Sequence, residues 1–323
     1  MFKTIIEKLN AKLNDHGKSI ILNNNTAVRI DKNQFYSIAD KTAKRTAFVD
    51  GGNAEILGGG NFSLQLLRIY AGIFENNKRI KQKKTEFYLL VTAKHKNGRI
   101  FYDTEAFNTH LRIDKEFNAF EQGLSEHGHK AEPNKIAESA RKITELHIAE
   151  ELATELESGD IIVRDGDLTE GTEQEKKQIE KLQEKSQGKG IIVAGLSKTT
   201  SLLTDSGNSA SAVLNKIGPS CAWYYPATNN IGFTKLNKNS NYVFRLDFLM
   251  PDKLADILGG LKANSKDACF IGYPYGLIDA DRFARVTTKE KEKLKLMLMS
   301  KGGENFRAHL ASIDAHEILN KIV

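Results

Sequence analysis

A short stretch near the start of the chain decides the fold: Arg45-Thr46-Ala47-Phe48-Val49-Asp50-Gly51-Gly52-Asn53. An apolar run ends abruptly in an aspartate, which two glycines follow. Phenylalanine and valine favour a buried, pleated backbone, and glycine permits sharp turns. We therefore predict a buried strand that ends at a turn and presents the Asp50 carboxylate at one edge of a sheet.

The same pattern recurs further along the chain, in Asp160-Ile161-Ile162-Val163-Arg164-Asp165-Gly166-Asp167-Leu168. Either aspartate alone would be explained as an ordinary turn residue. Two strand-end carboxylates in matching contexts instead suggest a shared divalent-metal site, because carboxylate oxygens are preferred ligands of hard cations.

The composition indicates a globular chain with a sizeable core, because 40% of its 323 residues are hydrophobic. No run of eighteen apolar residues occurs, and residues 1–8 form an amphipathic pattern rather than a signal peptide. We therefore expect a cytoplasmic protein without membrane contact. The formal charge of +6 gives a modest indication of an anionic partner. Cys221 and Cys269 have no metal-binding spacing, and we expect them to be buried thiols.

Three predicted strands follow one another after residue 45: the Asp50 strand, residues 62–74 and residues 87–93. Glycine turns would join them into an antiparallel meander. The basic run 78–84 is expected to precede the third strand, and a hairpin is expected at 96–99. Residues 58–60 are three glycines without the lysine and hydroxyl residue of a phosphate-binding loop, so we interpret them as a hairpin turn.

A helix is predicted from about Lys135 to Leu156, and Glu145 lies on its apolar stripe. A carboxylate on that stripe faces inward, where it requires a partner. It is therefore a candidate metal ligand, and the alternative is an ion pair with Arg141 one turn earlier. Glu150 and Glu151 compete for the same role but lie off the stripe.

A strand, helix and strand follow, at 160–165, 173–187 and 190–198, and they predict a parallel crossover. Lys198 would emerge at the same sheet edge as Asp165, where it could contact a scissile phosphate. Residues 201–220 are expected to be a surface loop, and aromatic strands are expected at 223–226 and 242–248. A final strand enters a helix across residues 270–284, with Asp281 in its first turns, and amphipathic helices are predicted at 289–299 and 308–323.

This order of elements predicts an α/β fold of RNase H-like type. It has a mixed five-stranded core sheet with flanking helices and additional β-strand and helical insertions. The predicted domain is a single unit over 1–323, with a core at about 43–300, a helical lead-in at 1–42 and a helical tail at 301–323. In such an arrangement clustered carboxylates hold two divalent ions about 4 Å apart, which bridge the scissile phosphate.

The chain also resembles a known family, the NurA nucleases of archaea and some bacteria. The resemblance spans nearly the whole sequence and is carried by short motifs in the family order: Asp50-Gly51, Arg164-Asp165-Gly166-Asp167-Leu168, Gly195-Leu196-Ser197-Lys198, Trp223-Tyr224-Tyr225, Phe244-Arg245-Leu246, Gly272-Tyr273-Pro274 and Ala280-Asp281. Gly52 departs from the family pattern, in which a serine usually follows the Asp-Gly pair.

The resemblance implies a hydrolase, a manganese-dependent deoxyribonuclease with 5′ to 3′ exonuclease and single-strand endonuclease activity. Magnesium is the second candidate metal. The implied substrates are single-stranded DNA and duplex ends, and the implied process is end resection in the repair of double-strand breaks by homologous recombination. The implied partners are a HerA-type hexameric ATPase, other break-processing nucleases and a second copy of this chain in a homodimer.

The resemblance also implies roles for particular residues. The implied metal-binding and catalytic acids are Asp50, Glu145, Asp165 and Asp281, with Asp279 competing for the place of Asp281. Lys198 would contact the phosphate as a catalytic residue, and the implied DNA contacts are Tyr224, Arg245 and Arg164.

Two other functions are compatible with parts of the pattern. Actin-like and sugar-kinase ATPases share the sheet topology, but they place a hydroxyl residue after the Asp-Gly turn, where this chain has Gly52-Asn53-Ala54. A non-catalytic clamp on DNA ends would lack one or more of the acids, whereas this sequence has a candidate for each.

Overall fold

A computed structural model describes residues 1–41, 44–111, 113, 116–125 and 128–313. The chain begins with helix α1 (Phe2–Asn14) and the short strands β1 (Ser19–Ile21), β2 (Ala27–Arg29) and β3 (Tyr36–Ser37). In the helix predicted at 308–323, residues 308–313 belong to α8 (Gly303–Ile313). Residues 314–323 lie outside the described residues.

The predicted antiparallel meander is confirmed, and it is longer than the sequence indicated. It consists of β4 (Arg45–Gly59), β5 (Phe62–Glu75), β6 (Lys78–Lys96), β7 (Arg99–Phe107) and β8 (Glu116–Asn118). The turn between β5 and β6 uses two left-handed asparagines, Asn76 and Asn77, instead of glycine. The basic run 78–84 is part of β6 itself, so the expectation that it precedes the strand was wrong.

The expected turn after Asp50 is absent, because β4 continues through both glycines to Gly59. Neither Gly51 nor Gly52 has a positive φ. A Cβ at position 51 would overlap the Glu145 carboxylate, and one at position 52 would overlap the backbone carbonyl of Ala284. The glycine pair therefore allows two helices to approach the strand closely, and Asp50 lies in the middle of the strand.

The predicted helix and parallel crossover are confirmed. Helix α2 (Pro133–Glu155) leads to β9 (Ile161–Asp165), and helix α3 (Glu173–Lys189) leads to β10 (Ile192–Ser197). Strand β9 is parallel to both β4 and β10. The apolar stripe of α2 packs on this face of the sheet, where Leu146 and Leu152 contact the cluster that contains Ile162 and Val193.

Within the described residues the main sheet has eleven strands. Strands β12 (Trp223–Pro226), β13 (Ile231–Lys235) and β14 (Phe244–Phe248) extend it antiparallel beyond β10, giving the order β3-β12-β13-β14-β10-β9-β4-β5-β6-β7-β8. The central five strands, β10-β9-β4-β5-β6, form an RNase H-like core. The fold class predicted from the sequence is therefore confirmed, with the additional strands as insertions.

Two segments differ from their sequence-based descriptions. Residues 201–220 contain strand β11 (Leu203–Thr204), which pairs with β1, and helix α4 (Ala210–Ile217), rather than only a loop. Helix α4 forms because Val213 and Leu214 are buried, and Leu214 packs in the cluster that contains Trp223. Cys221 and Cys269 are both exposed, which contradicts the expectation that they are buried.

The C-terminal third supplies the helices of the second sheet face: α5 (Leu254–Asn264), α6 (Tyr275–Ala284) and α7 (Thr288–Lys301). Helix α5 was not predicted, and residues 270–273 form turns rather than the expected strand before α6. Helices α5 and α6 pack through Ile257 and Leu277 on the face opposite α2. Among the helices that the structure describes, none has the length and apolar composition needed to cross a membrane.

Candidate metal centre

Three carboxylates from three separate elements converge beside the central strand. Asp50 belongs to β4, Asp165 ends β9, and Asp281 lies on α6. One oxygen from each carboxylate can be chosen so that all three lie within 4.8 Å of one another. This is a suitable spacing for three ligands of one divalent ion, since oxygen ligands lie 2.0–2.6 Å from Mg²⁺ or Ca²⁺.

The strand register brings the first two carboxylates together. Val49 and Arg164 are paired on the parallel strands β4 and β9, and the next residue on each strand is an aspartate. The third carboxylate depends on a close contact between α6 and β4. A Cβ on Gly276, in the first turn of α6, would overlap the ring of Phe48. Glycine at that position therefore lets the helix approach and place Asp281 near the other two acids.

Lys198 lies among the acids, at the sheet edge that the crossover predicted. Its Nζ atom is 2.7 Å from Asp165 Oδ2 and 2.9 Å from Asp281 Oδ1. The same ammonium lies 5.4 Å from the ring centre of Tyr273, a cation–π distance. Its side chain is 43% exposed, so it can reach a ligand at the surface while it neutralises the acids below.

Burial and neighbouring charges shift the pKa of each of the three clustered acids. Burial, with the adjacent Asp165 and Glu145 carboxylates, raises the pKa of Asp50 to about 8. Burial also raises the pKa of Asp165, although Lys198 and Tyr273 act in the opposite direction. Burial would raise the pKa of Asp281 as well, but hydrogen bonds from Lys198 and Arg285 outweigh it and lower that pKa.

The donor set fits a divalent cation. Asp165 Oδ2 is buried and receives no well-aligned hydrogen bond from the described residues, although Lys198 lies close to it. Its neighbour Asp50 shares the site and has a pKa that burial and then the Asp165 and Glu145 carboxylates raise. Hard divalent cations prefer such carboxylate oxygens. Asp50, Asp165 and Asp281 are therefore the residues of this chain that would hold an ion.

The structure places Glu145 directly beneath this cluster but gives its carboxylate other partners. Glu145 is fully buried, accepts a hydrogen bond from Arg141 and lies 2.7 Å from Arg164 Nη2. Arg141 also donates to the carbonyl of Gly51, which fixes α2 against β4. Glu145 is not a member of the three-carboxylate group found among the described residues, and its role as a direct metal ligand stays a prediction.

The acids that were alternatives to Glu145 and Asp281 form hydrogen bonds and ion pairs outside the cluster. Glu150 accepts a hydrogen bond from Gln178 and pairs with Lys185, and Glu151 pairs with Lys83. Asp279 is 2.7 Å from Arg79 Nη1, on the part of α6 that contacts β5 and β6. Of the two aspartates on α6, Asp281 is therefore the one that joins the cluster.

The three expected DNA contacts are all buried, and the structure assigns them other roles. Tyr224 packs in the apolar cluster beneath α5 and α6. Arg245 makes a two-pronged ion pair with Asp247, with nitrogen to oxygen distances of 2.7 and 2.9 Å. Arg164 pairs with Glu145 and donates to the carbonyl of Asp167. These side chains lie in the interior of this structure, and their contact with DNA stays a prediction.

Sequence reasoning missed the aromatic residues that border the metal centre. Tyr273 precedes the Pro274 N-cap of α6, and its buried hydroxyl faces the acids closely enough to lower the pKa of Asp165. Tyr242 and Phe270 lie further out, at the wall of a cavity that also includes Lys198 and Asp281. A signal was present, because Tyr242 lies in a predicted aromatic strand that contains Arg245, and Phe270 lies in the predicted segment that contains Asp281.

No protein-family model matches this chain, and no curated protein matches its sequence. Similar solved structures include endonuclease V of Ciona intestinalis, bound to DNA containing an inosine followed by a ribo-adenosine (11% identity, TM-score 0.42, 90% of this chain and 99% of that chain). Human ENDOV is similar at 9% identity and a TM-score of 0.42, covering 80% and 93%.

Argonaute of Aquifex aeolicus is similar at 11% identity and a TM-score of 0.35. The match covers 77% of this chain and 29% of the Argonaute chain, so this chain corresponds to less than a third of that protein. At these identities and TM-scores, the similarities establish no function for this chain.

Proposed function

We propose that this protein is a metal-dependent nuclease that hydrolyses phosphodiester bonds of DNA. The observation that carries the proposal is the convergence of Asp50, Asp165 and Asp281 within 4.8 Å, next to Lys198. Hydrolysis of a phosphodiester requires groups that bind an anionic phosphate and neutralise the charge developing on it. A carboxylate site that takes up a cation, with an ammonium group at its rim, meets both requirements.

The residues of the site divide this work. Asp50, Asp165 and Asp281 would hold the ion, and Glu145 with its two arginines would hold α2 and β9 in place beneath them. A bound Mn²⁺ or Mg²⁺ would supply positive charge against the phosphate oxygens. Lys198, released from part of its pairing with Asp165 and Asp281, would donate hydrogen bonds to a non-bridging phosphate oxygen.

We further propose the NurA-type role in processing DNA ends, with the 5′ to 3′ exonuclease and single-strand endonuclease activities that this role implies. The ordered motifs of the sequence support it, together with the RNase H-like core on which they lie. The corresponding partners are DNA, a HerA-type hexameric ATPase and a second copy of this chain. The formal charge of +6 favours a polyanionic substrate.

The activity is tested with purified protein and end-labelled DNA, single-stranded and duplex, in Mn²⁺, in Mg²⁺ and in EDTA. We expect degradation with a divalent metal and none in EDTA. Labels at the 5′ end and at the 3′ end of matched substrates give the direction of digestion. Metal titration by calorimetry distinguishes one bound ion from the predicted two.

The HerA-type ATPase is added in a second series, because a partner can complete a substrate channel. Absence of cleavage with either metal, with and without that ATPase, would contradict the nuclease proposal. If the protein nevertheless bound DNA ends, the non-catalytic clamp would explain the result. Binding of ATP in place of DNA would instead favour the ATPase alternative.

A further inference from the structure

We infer that a cavity next to the metal centre binds an unstacked nucleobase of single-stranded DNA, beside the phosphate that is cut. This inference rests on the proposed nuclease function and specifies the form of DNA that the site accepts. The cavity is lined by Tyr242, Phe244, Phe270 and Ile278 on its apolar side and by Lys198 and Asp281 on its charged side.

A continuous path of aromatic rings leads from the metal centre into this cavity. The Lys198 ammonium lies over Tyr273, whose ring centre is 5.0 Å from that of Phe244 and 5.8 Å from that of Phe270. Phe270 in turn stacks on Tyr242 at 4.9 Å, with the two ring planes inclined by 22°. The rings come from the β14 region and from the turns before α6, so two separate parts of the chain build one aromatic wall.

The aromatic wall is open to solvent at its outer end. Tyr242 is 53% exposed and Phe270 is 37% exposed, and the neighbouring Ile271 is also exposed. Large exposed apolar groups that cluster in one place mark a binding surface more often than isolated ones do. The cavity volume of about 430 Å³ is within the range of small-molecule sites, and it is large enough for a base.

The combination of an apolar side and a charged side in one cavity indicates a nucleotide rather than a purely apolar ligand. Lys198 can bind a phosphate, and the aromatic wall offers flat faces of the kind on which bases stack. A nucleotide carries both groups on one sugar, so a base next to a phosphate at the metal centre falls beside the aromatic wall. Bases in a duplex are already stacked and paired, and entry therefore favours a single strand or a frayed end.

The cavity is tested by binding of a fluorescein-labelled oligothymidylate in EDTA, where no cleavage occurs. Tyr242→Ala and Phe270→Ala should each weaken binding by at least about fivefold, the lower limit for loss of one base-stacking contact. Tyr242→Phe keeps the ring and should bind like the wild type. Both residues are partly exposed, so the alanine variants should fold, and circular dichroism and thermal unfolding check this.

An abasic strand of the same length gives the decisive control. Without bases nothing can occupy the aromatic cavity, so wild type and Tyr242→Ala should bind this strand equally. If the variant instead loses the same factor on both strands, or loses nothing on oligothymidylate, the cavity does not bind a base and the inference is overturned.

Cys269 provides a second readout at the wall of the cavity. Cys269 and Cys221 are both exposed, but only Cys269 is among the described residues that line this cavity. Oligothymidylate should slow alkylation of Cys269 and leave Cys221, measured in the same molecule, unchanged. The abasic strand should protect neither cysteine. Equal protection of both cysteines, or of neither by oligothymidylate, would contradict a base in the cavity.

Failure of the cavity and failure of the nuclease proposal give different results. Protein that cuts DNA but shows no difference between oligothymidylate and abasic strands keeps its nuclease function and loses the base-binding cavity. Protein that shows the base-dependent protection of Cys269 but never cuts DNA keeps the cavity and loses the nuclease function. Protein that binds neither strand in EDTA and cuts no DNA with either metal overturns both proposals.

Discussion

At the scale of single residues, the burial of Asp50 beside two other carboxylates distinguishes the metal centre from a set of structural ion pairs. The described residues place Lys198 near three clustered carboxylates, Arg285 pairs with Asp281, and a fourth carboxylate, Glu145, is held below them by two arginines. Burial and like charges held close together both raise the free energy of the ionised state, and the raised pKa of Asp50 reflects both. A bound cation would relieve the repulsion.

Asp165→Asn should reduce metal-dependent cleavage by at least about 100-fold, because it removes a charged ligand from a site that stabilises the transition state by several kcal/mol. The matched control is Asp167→Asn, two residues away, since Asp167 pairs with Lys142 and lies outside the cluster. Initial rates on end-labelled single-stranded DNA measure both. Equal rates for Asp165→Asn and wild type would rule out the assigned site.

Asp50 should make the metal-free protein less stable as the pH rises. Its folded pKa of about 8 is above the ordinary aspartate pKa of 3.8, so the folded state binds more protons between these values. The stabilisation is complete below about pH 4 and is lost as the pH approaches 8. Asn cannot ionise, and Asp50→Asn should therefore raise the melting temperature at pH 8 by at least about 2–4 °C, the effect of 1 kcal/mol in a domain of this size.

Thermal unfolding in EDTA between pH 4 and pH 8.5 measures this difference. Asp167→Asn is again the control, because the pKa of Asp167 is lowered: Lys142 and Thr169 outweigh the opposing effect of burial. That variant should lose stability at neutral pH. If the melting temperature of Asp50→Asn equalled that of the wild type at every pH, folding would not raise the pKa of Asp50.

At the scale of elements, Glu145 connects α2 to the two strands that carry Asp50 and Asp165. Glu145→Gln would leave Arg141 and Arg164 with uncompensated buried charge, and breaking a buried pair in this way costs about 3–5 kcal/mol. We expect this loss in the free energy of unfolding by urea. Metal affinity at the cluster should fall much less than in Asp165→Asn. The reverse order, with stability kept and metal binding abolished, would make Glu145 a direct ligand.

The glycine pair of β4 positions α6 as well as α2. A Cβ at residue 52 would overlap the carbonyl of Ala284, at the end of the helix that carries Asp281. Gly52→Ala should therefore displace α6, lower the free energy of unfolding by about 1–3 kcal/mol and reduce cleavage. Gly60→Ala, where a Cβ meets nothing within 4 Å, is the control and should match the wild type in both measurements. Equal behaviour of the two variants would contradict this role of Gly52.

Elements with strong local patterns were predictable from the sequence. The strands around Phe48 and Val163 are apolar runs, and the helix containing Glu145 has a regular stripe, so the meander and crossover were found. The prediction of a turn at Asp50-Gly51-Gly52 was wrong. The two glycines instead allow helices to approach the strand closely, and only the tertiary structure shows this. Helix α5 was missed because its sequence has two glycines and no strong capping signal.

At the scale of the whole molecule, the positions of the strands in the main sheet explain which site residues were predictable from the sequence. Asp165 ends β9, Lys198 follows β10, and the register of β4 with β9 places Asp50 beside Asp165, so the order and register of the strands bring these residues together. Tyr224 and Arg245 also lie on strands. The burial of both side chains and the ion pair of Arg245 with Asp247 depend on the face of the sheet to which each side chain points. One sequence does not determine that direction for the inserted strands.

Metal binding should stabilise the folded chain as a unit, because the three ligands come from β4, β9 and α6. At a free Mn²⁺ concentration 100 times the dissociation constant, the stabilisation is about 2.7 kcal/mol. Differential scanning calorimetry should show a higher melting temperature for wild type and for Asp167→Asn, and a much smaller rise for Asp165→Asn. The same rise in all three proteins would place the bound metal elsewhere.

Asp50, Asp165 and Asp281 are the proposed ligands of a divalent metal ion. The most direct measurement is anomalous diffraction from a crystal of the protein grown with Mn²⁺. We predict a manganese peak in contact with carboxylate oxygens of all three aspartates, with Lys198 moved away from Asp165. A crystal that binds manganese only at other residues, with Lys198 still between Asp165 and Asp281, would contradict the account.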